Sequence, residues 1–277
     1  MNYLLRAKKF RAKKRLGQNF LTDKAALDKI IETAHISPDD TVMEIGAGLG
    51  FLTELMAQKA KKVIAVEIDD SAINELKKLP YNNIEIIKED ILKLDIKKLS
   101  EKPLKIIANI PYYITSPILF HLLGELDEEI PDKYISEIIL TVQYEVAKRI
   151  TADEKSPSKE YGLLSILLNY KAETSFIVKI PAKSFYPSPK VDSAVVKLIL
   201  REKPLTQINN IKLFKRIIKA SFAGRRKTLK NTLINAGINS ETVSKAMDNL
   251  NISPLIRGEK LSIEDFNNLT EAIDKEF

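Results

Sequence analysis

The nine residues Asn109-Ile110-Pro111-Tyr112-Tyr113-Ile114-Thr115-Ser116-Pro117 join an amide, a rigid proline and aromatic rings at the end of an apolar run. Those residue types suit a flat base that bears an exocyclic amine. The Asn109 side-chain oxygen and the carbonyl of Ile110 or Pro111 can accept from an NH2 group, while Pro111 fixes its own φ and adds no competing donor. Tyr112 can stack on the ring face. A strand that ends in a proline turn has the same local sequence, because Asn and Pro are ordinary turn residues. The surroundings have to distinguish the two.

The elements that must position this motif are legible in the periodicity. Short apolar, β-branched runs fall at residues 41–45, 63–67, 84–87, 105–108 and 138–142, and each reads as a buried strand. Helical patterning separates the first several, as at 51–60 and 71–79. Strand and helix in alternation predict an α/β fold with a parallel sheet. Residues 174–180 and 193–200 are two further strands joined by Pro181-Ala182-Lys183-Ser184-Phe185-Tyr186-Pro187-Ser188-Pro189, with no helix between them, so they are expected to pair antiparallel. Beyond Pro204 the pattern is helical, with Gly237 and Gly258 as breaks. The spacing places a domain boundary near residue 204 and a mobile loop at Ser156-Pro157-Ser158-Lys159.

Four strand ends carry chemistry. The first leads into Gly46-Ala47-Gly48-Leu49-Gly50, where glycines let the backbone approach a ligand and free N–H groups open the next helix. Glu67 ends the second strand, where a carboxylate can accept from both hydroxyls of a ribose. The third ends at Glu89-Asp90, and Asp90 can accept from an adenine amino group. The fourth ends at Asn109. Ligands of open α/β sheets bind at the carboxyl ends of the strands, so Gly46, Glu67, Asp90 and Asn109 are expected to converge on one crevice. The glycine spacing is GxGxG and not GxGxxG, which disfavours a dehydrogenase.

Composition narrows the class. With 277 residues, 44% of them hydrophobic, the chain can bury a full core. Without cysteine it has no disulfide, thiolate zinc site or cysteine nucleophile. The two histidines, His35 and His121, are too few for a histidine-rich metal cluster. No apolar stretch approaches the ~18 residues of a membrane span, and a soluble, intracellular protein is expected. Seven of the 44 basic residues lie in the first 15 positions and none of the 37 acidic ones, so the remainder balances at 37 each. Residues 211–230 hold eight more basic side chains and no acid. Two such segments point to a polyanion, with a solvated helix face as the alternative for either alone.

Taken together, these features resemble S-adenosylmethionine-dependent methyltransferases, and more narrowly the ribosomal RNA adenine dimethyltransferases of the KsgA type. The matching segments are Leu16-Gly17-Gln18-Asn19-Phe20-Leu21, Glu44-Ile45-Gly46-Ala47-Gly48-Leu49-Gly50, Glu67-Ile68-Asp69, Glu89-Asp90, Asn109-Ile110-Pro111-Tyr112, residues 185–195 and residues 222–229. They span most of the chain. The resemblance implies a Rossmann-like class I methyltransferase sheet with an antiparallel final hairpin over residues 16–204. A basic segment over 1–15 precedes it, and a small all-α domain over 205–277 follows.

The resemblance also implies roles. Asn19 and Leu21 line the cofactor pocket, Gly46 meets the methionine part of S-adenosylmethionine, Glu67 the ribose, Asp90 the adenine, and Asn109 borders the methyl group. Glu44 orients the methionine end through water. The catalytic set is Asn109, Ile110, Pro111, Tyr112 and Phe185, with Tyr112 and Phe185 sandwiching the target base; core packing is the other reading of both Leu21 and Phe185. Arg11, Lys13, Lys14, Arg15, Lys219, Arg225, Arg226 and Lys227 contact RNA phosphate, and the reaction calls for no metal. The implied substrate is a pair of adjacent adenosines near the 3′ end of 16S rRNA in an assembling small subunit (pre-30S). The implied enzyme is monomeric, cytoplasmic and not membrane-bound. Two alternatives stay open: a 23S rRNA adenine N6-methyltransferase of the macrolide-resistance type, and a non-enzymatic nucleic-acid-binding factor on the same fold.

Overall fold

All five β-branched runs become central or flanking strands of one sheet. The strands are β1 (Phe20–Leu21), β2 (Thr41–Ile45), β3 (Lys62–Glu67), β4 (Ile84–Lys88), β5 (Leu104–Asn109), β6 (Ile135–Gln143), β7 (Ala172–Ile180), β8 (Phe185–Tyr186) and β9 (Ser193–Leu200). The computed structural model describes residues 2–224 and 226–276. Seven strands form the order β4-β3-β2-β5-β6-β9-β7. Pairing is parallel from β4 to β6, with Val42 opposite both Val63 and Lys105. β9 returns antiparallel to β6, Thr141 facing Val195.

The parallel part follows from the helices that separate its strands: α1 (Tyr3–Lys9) and α2 (Lys24–Thr33) precede it, while α3 (Phe51–Ala57), α4 (Asp70–Leu76) and α5 (Thr115–Leu123) form crossovers. Covered on both faces, the middle strands bury every central residue; Val42, Met43, Ile106, Ile107 and Ile138 are fully inaccessible. The chain winds outward from β2 through β3 to β4, then resumes on the other side of β2 with β5. The carboxyl ends of β2 and β5 flank that reversal, the place where such sheets open a crevice.

Two compact units emerge. The first comprises Met1–Leu123, Pro131–Ala147 and Glu173–Leu200; the second comprises Gly124–Ile130, Lys148–Ala172 and Arg201–Phe277. The break after Leu200 lies beside the boundary read near 204, but the second unit also takes in two earlier stretches of chain. Hydrophobic demand explains this. The second unit takes in the end of α6 (Tyr144–Ile150), and its helices α7 (Leu163–Lys171), α8 (Ile211–Ala223), α9 (Leu229–Asn235), α10 (Ser240–Asn249) and α11 (Ile263–Asp274) share one core. Leu126, Tyr161 and Ile166 pack there with Phe214, Ile218 and Phe266. Tyr161 donates to the Leu261 carbonyl at 3.0 Å, satisfying a buried hydroxyl.

The basic stripe on α8 is amphipathic as its spacing predicts: Phe214 and Ile218 are buried, whereas Lys212, Arg216 and Lys219 are exposed. Lys215 pairs with Glu125 and Asp127. Among the described residues no helix is long and apolar enough to cross a membrane.

Candidate functional site

The four chemical strand ends do converge. A cavity of about 270 Å³ is lined by Leu16 to Phe20, Ile45, Gly46, Gly48, Val66 to Ile68, Glu89 to Leu92 and Asn109 to Ile114. Gly46, Glu67, Asp90, Asn109 and Asn19 all lie on its wall. Gly46 has φ +68°, and a side chain there would meet no atom within 4 Å. The missing Cβ thus leaves open space at the end of β2, where a ligand can approach the backbone.

Glu67 is fixed before any ligand arrives. One carboxylate oxygen accepts from the Gly48 N–H at 2.7 Å, and the other accepts from the Ile68 and Asp69 N–H groups at 2.9 Å each. The oxygen bonded to Gly48 keeps acceptor capacity for a hydroxyl, whereas the other already accepts two N–H groups. Asp90 is held by the Leu92 N–H at 3.0 Å.

Glu44 lies deeper, 3% exposed, and accepts from the Thr53 hydroxyl on α3. Burial pushes its carboxyl up to about 8, against the opposing effect of the Thr53 hydrogen bond, and the nearby Glu67 carboxylate adds to the rise. Between pH 4.5, its ordinary value, and about 8, the folded chain keeps a proton that the unfolded chain has released, so stability falls as pH rises through that window. Glu44→Gln is therefore expected to gain steadily on the wild type across it. Thermal unfolding of both proteins at about pH 5 and about pH 8 checks this, and a difference that stays flat with pH would place Glu44 ionised in the fold.

The acceptor motif sits at the end of β5. Asn109 Nδ2 donates to the Asn19 carbonyl at 2.9 Å, which leaves Oδ1 as the end of the amide that accepts. The Pro111 carbonyl accepts from the Ile114 N–H at 3.2 Å in a tight turn, so Ile110 offers the freer backbone acceptor. Tyr112 is partly buried and its hydroxyl shares a hydrogen bond with Ser193 of β9, which fixes the ring. Burial raises the Tyr112 pKa, and the Ser193 hydrogen bond opposes that rise.

Three expectations meet a different placement. Phe185 is 3% exposed, β8 pairs with β1 by setting Phe185 opposite Leu21, and the residue belongs to the core cluster and does not line the cavity. That short pairing, two residues on each side, carries no periodic signal. Leu21, 3% exposed, lines a smaller void of about 40 Å³ together with Glu44, Gly46 and Asn109, beside the main cavity and not on its wall. Lys13 is placed differently from its basic neighbours: its ammonium pairs with Asp69, whose side chain is fully inaccessible, while the Lys13 side chain itself stays partly exposed.

Arg11, Lys14 and Arg15 are exposed, as are Lys219, Arg226 and Lys227 in the second unit; Arg225 lies outside the described residues. The basic N-terminal stretch is a strap and not a free arm. Arg6 donates to the Leu49 carbonyl at 3.0 Å, pairs with Glu54 at 3.3 Å and stands over the Phe51 ring. Gln18, to which the sequence reading gives no role, accepts from the Lys13 N–H and donates to Asp69, both at 2.8 Å.

Comparison with known proteins agrees with this geometry. The ribosomal RNA adenine dimethylase family matches residues 9–275. The ribosomal RNA small subunit methyltransferase A of Clostridium botulinum (strain Langeland) is 42% identical over 270 residues, which cover 95% of this chain and 94% of that protein. Among solved structures, a dimethyladenosine transferase from Plasmodium falciparum superposes with a TM-score of 0.76 at 28% identity, covering 93% of this chain and 98% of that one. The 23S rRNA methyltransferase ErmE gives 0.69 at 29% identity, covering 92% and 100%. With strand ends, glycine loop and acceptor turn all in place, a match of this extent leaves one assignment: the chain belongs to the ribosomal RNA adenine dimethylase family.

Proposed function

We propose that the protein is an S-adenosylmethionine-dependent methyltransferase that dimethylates N6 of two adjacent adenosines near the 3′ end of 16S rRNA, in an assembling small subunit. The observation that carries the reading is the Asn109 amide, oriented with its oxygen free to accept, in the wall of a cavity that Gly46, Glu67 and Asp90 also line. Those residues fit the cofactor: open space at Gly46 for the methionine part, a preset carboxylate at Glu67 for the ribose, and Asp90 for the adenine. When bound, S-adenosylmethionine supplies an electrophilic methyl group.

The chain's own groups do the rest. An adenine amine is a poor nucleophile because its lone pair is delocalised into the ring. Asn109 Oδ1 and the Ile110 carbonyl accept from that amine, and so favour a lone pair localised on nitrogen. Tyr112 holds one face of the base by stacking. Alignment of two bound reactants supplies ~7 kcal/mol or more of such a reaction's acceleration, with electrostatic preorganisation added. The base must leave its stack to enter. Arg11, Lys14, Arg15, Lys219, Arg226 and Lys227 provide exposed charge for phosphate, while RNA shape guides the choice of site.

The small subunit is preferred over 23S rRNA because the small-subunit relative is 42% identical over nearly its whole length, against 29% for ErmE. Tritiated methyl incorporation tests the assignment. Small subunits from cells lacking the modification are expected to take up methyl groups at adjacent adenosines, whereas large-subunit rRNA is not. Labelling confined to 23S rRNA would overturn the substrate, and labelling of neither RNA would overturn the activity.

A further inference from the structure

The N-terminal strap reaches the acceptor residue through a chain of hydrogen bonds that none of the roles above uses. Asp69, just beyond β3, has a side chain with no exposed surface. One of its oxygens accepts from Lys13 Nζ and from the Ser71 N–H, the latter at 3.0 Å, and the other accepts from Gln18 Nε2 at 2.8 Å. Gln18 Oε1 in turn accepts from the Lys13 N–H at 2.8 Å. Both ends of the Gln18 amide are thus engaged, and the stretch from Lys13 to Gln18 is closed into a clasp on a buried carboxylate. The next residue, Asn19, turns its own amide back to the Gly17 carbonyl at 3.0 Å, while its carbonyl accepts from Asn109 Nδ2.

An amide has a donor end and an acceptor end. If Asn109 were flipped, its NH2 would meet the N–H of an incoming amine, donor against donor. A carbonyl at Asn19 selects the productive orientation because it can accept only from the Nδ2 end. That selection works only while the Asn19 carbonyl stays in place, and the clasp is what holds the preceding residue. We infer that Gln18 and Asp69 are positioning residues for methyl transfer, acting through the Asn19 carbonyl to hold the Asn109 amide with its oxygen toward the acceptor amine. The inference rests on the methyltransferase reading of the site.

The test separates the clasp from that reading. In the unliganded protein, the Asn109 side-chain amide is followed by 15N–1H spectroscopy, identified by its disappearance in Asn109→Ala. Gln18→Ala removes the clasp. Gln18→Glu keeps side-chain length but sets a second carboxylate against Asp69, and serves if the alanine variant does not fold. Both are expected to shift the Asn109 amide and to expose it to solvent exchange. At saturating S-adenosylmethionine and unmodified small subunits, single-turnover methyl transfer is expected to fall by roughly ten- to a hundredfold, with half-saturation by the small subunits unchanged.

An unmoved Asn109 amide in the folded variant overturns the clasp. So does a rate that returns to the wild-type value once cofactor is saturating, because Gln18 would then act only as pocket wall. A wild-type protein that transfers no methyl group overturns the functional reading instead, and the amide signal still decides the clasp.

Discussion

Asn109→Ala is expected to lose methyl transfer by about 10²–10³-fold while it still binds rRNA, because the lost group is a preorganised acceptor that matters most as the amine becomes a nucleophile. In the wild type the amide oxygen is presented without reorganisation, since Nδ2 is already tied to the Asn19 carbonyl at 2.9 Å. Asn109→Asp should fare little better. A carboxylate cannot donate to that carbonyl, so the oxygen facing the amine is no longer held. Tritiated methyl incorporation into unmodified small subunits, measured beside filter binding of the same particles, checks both variants. Wild-type incorporation by Asn109→Ala would remove the amide from the mechanism.

Glu67→Ala carries the largest expected effect on the fold. Its carboxylate accepts from the N–H groups of Gly48, Ile68 and Asp69. Truncation strands all three at once in a residue environment only 6% exposed. Unsatisfied buried donors cost about 1–3 kcal/mol each, so a loss of about 3 kcal/mol or more is expected, reduced where water reaches the Ile68 side of the loop. Glu67→Gln retains one acceptor and should fall between. Urea unfolding of the three proteins gives the stabilities, and calorimetry with S-adenosylhomocysteine reports affinity in those that fold. An alanine variant as stable as the wild type would mean that the carboxylate does not organise the loop. The same three hydrogen bonds explain why a ribose would find this carboxylate already aimed.

Sequence patterning revealed the sheet because the β-branched runs of its middle strands, such as Val63 to Val66, bury both faces once helices cover them, whereas β4, read as buried, lies at the sheet edge with Glu85 and Lys88 exposed. The convergence of Gly46, Glu67, Asp90 and Asn109 was legible for a related reason. Strand ends of a parallel sheet share one edge, so register alone brings them together. Phe185 and Lys13 were not legible in that way. The β1–β8 pairing is only two residues long, and nothing in a period-2 pattern distinguishes a ring turned to the core from one turned to a cavity. Lys13 sits in a run of like charges whose composition suggests solvent, while its actual partner, Asp69, is 56 positions away. Gln18, though part of the matching segment from Leu16 to Leu21, carries no role in the sequence reading because an amide with both ends bonded within the protein looks, in sequence, like any surface glutamine.

The second unit is assembled from three separate stretches of the chain, and this bears on how the protein is made. Leu126, Tyr161 and Ile166 share a core with Phe266 and Ile273. The early stretches therefore leave the ribosome well before the helices that cover them. At ~5–20 residues per second, translation from Tyr170 to Ile273 takes on the order of 5–20 s. During that interval those apolar side chains lack part of their native cover, whereas the strands from β2 to β6 can already pair. A stop codon near residue 204 would make that exposure permanent, so the helical unit cannot be trimmed away as a tail. Of the helices that share this core, α11 is the last to be made.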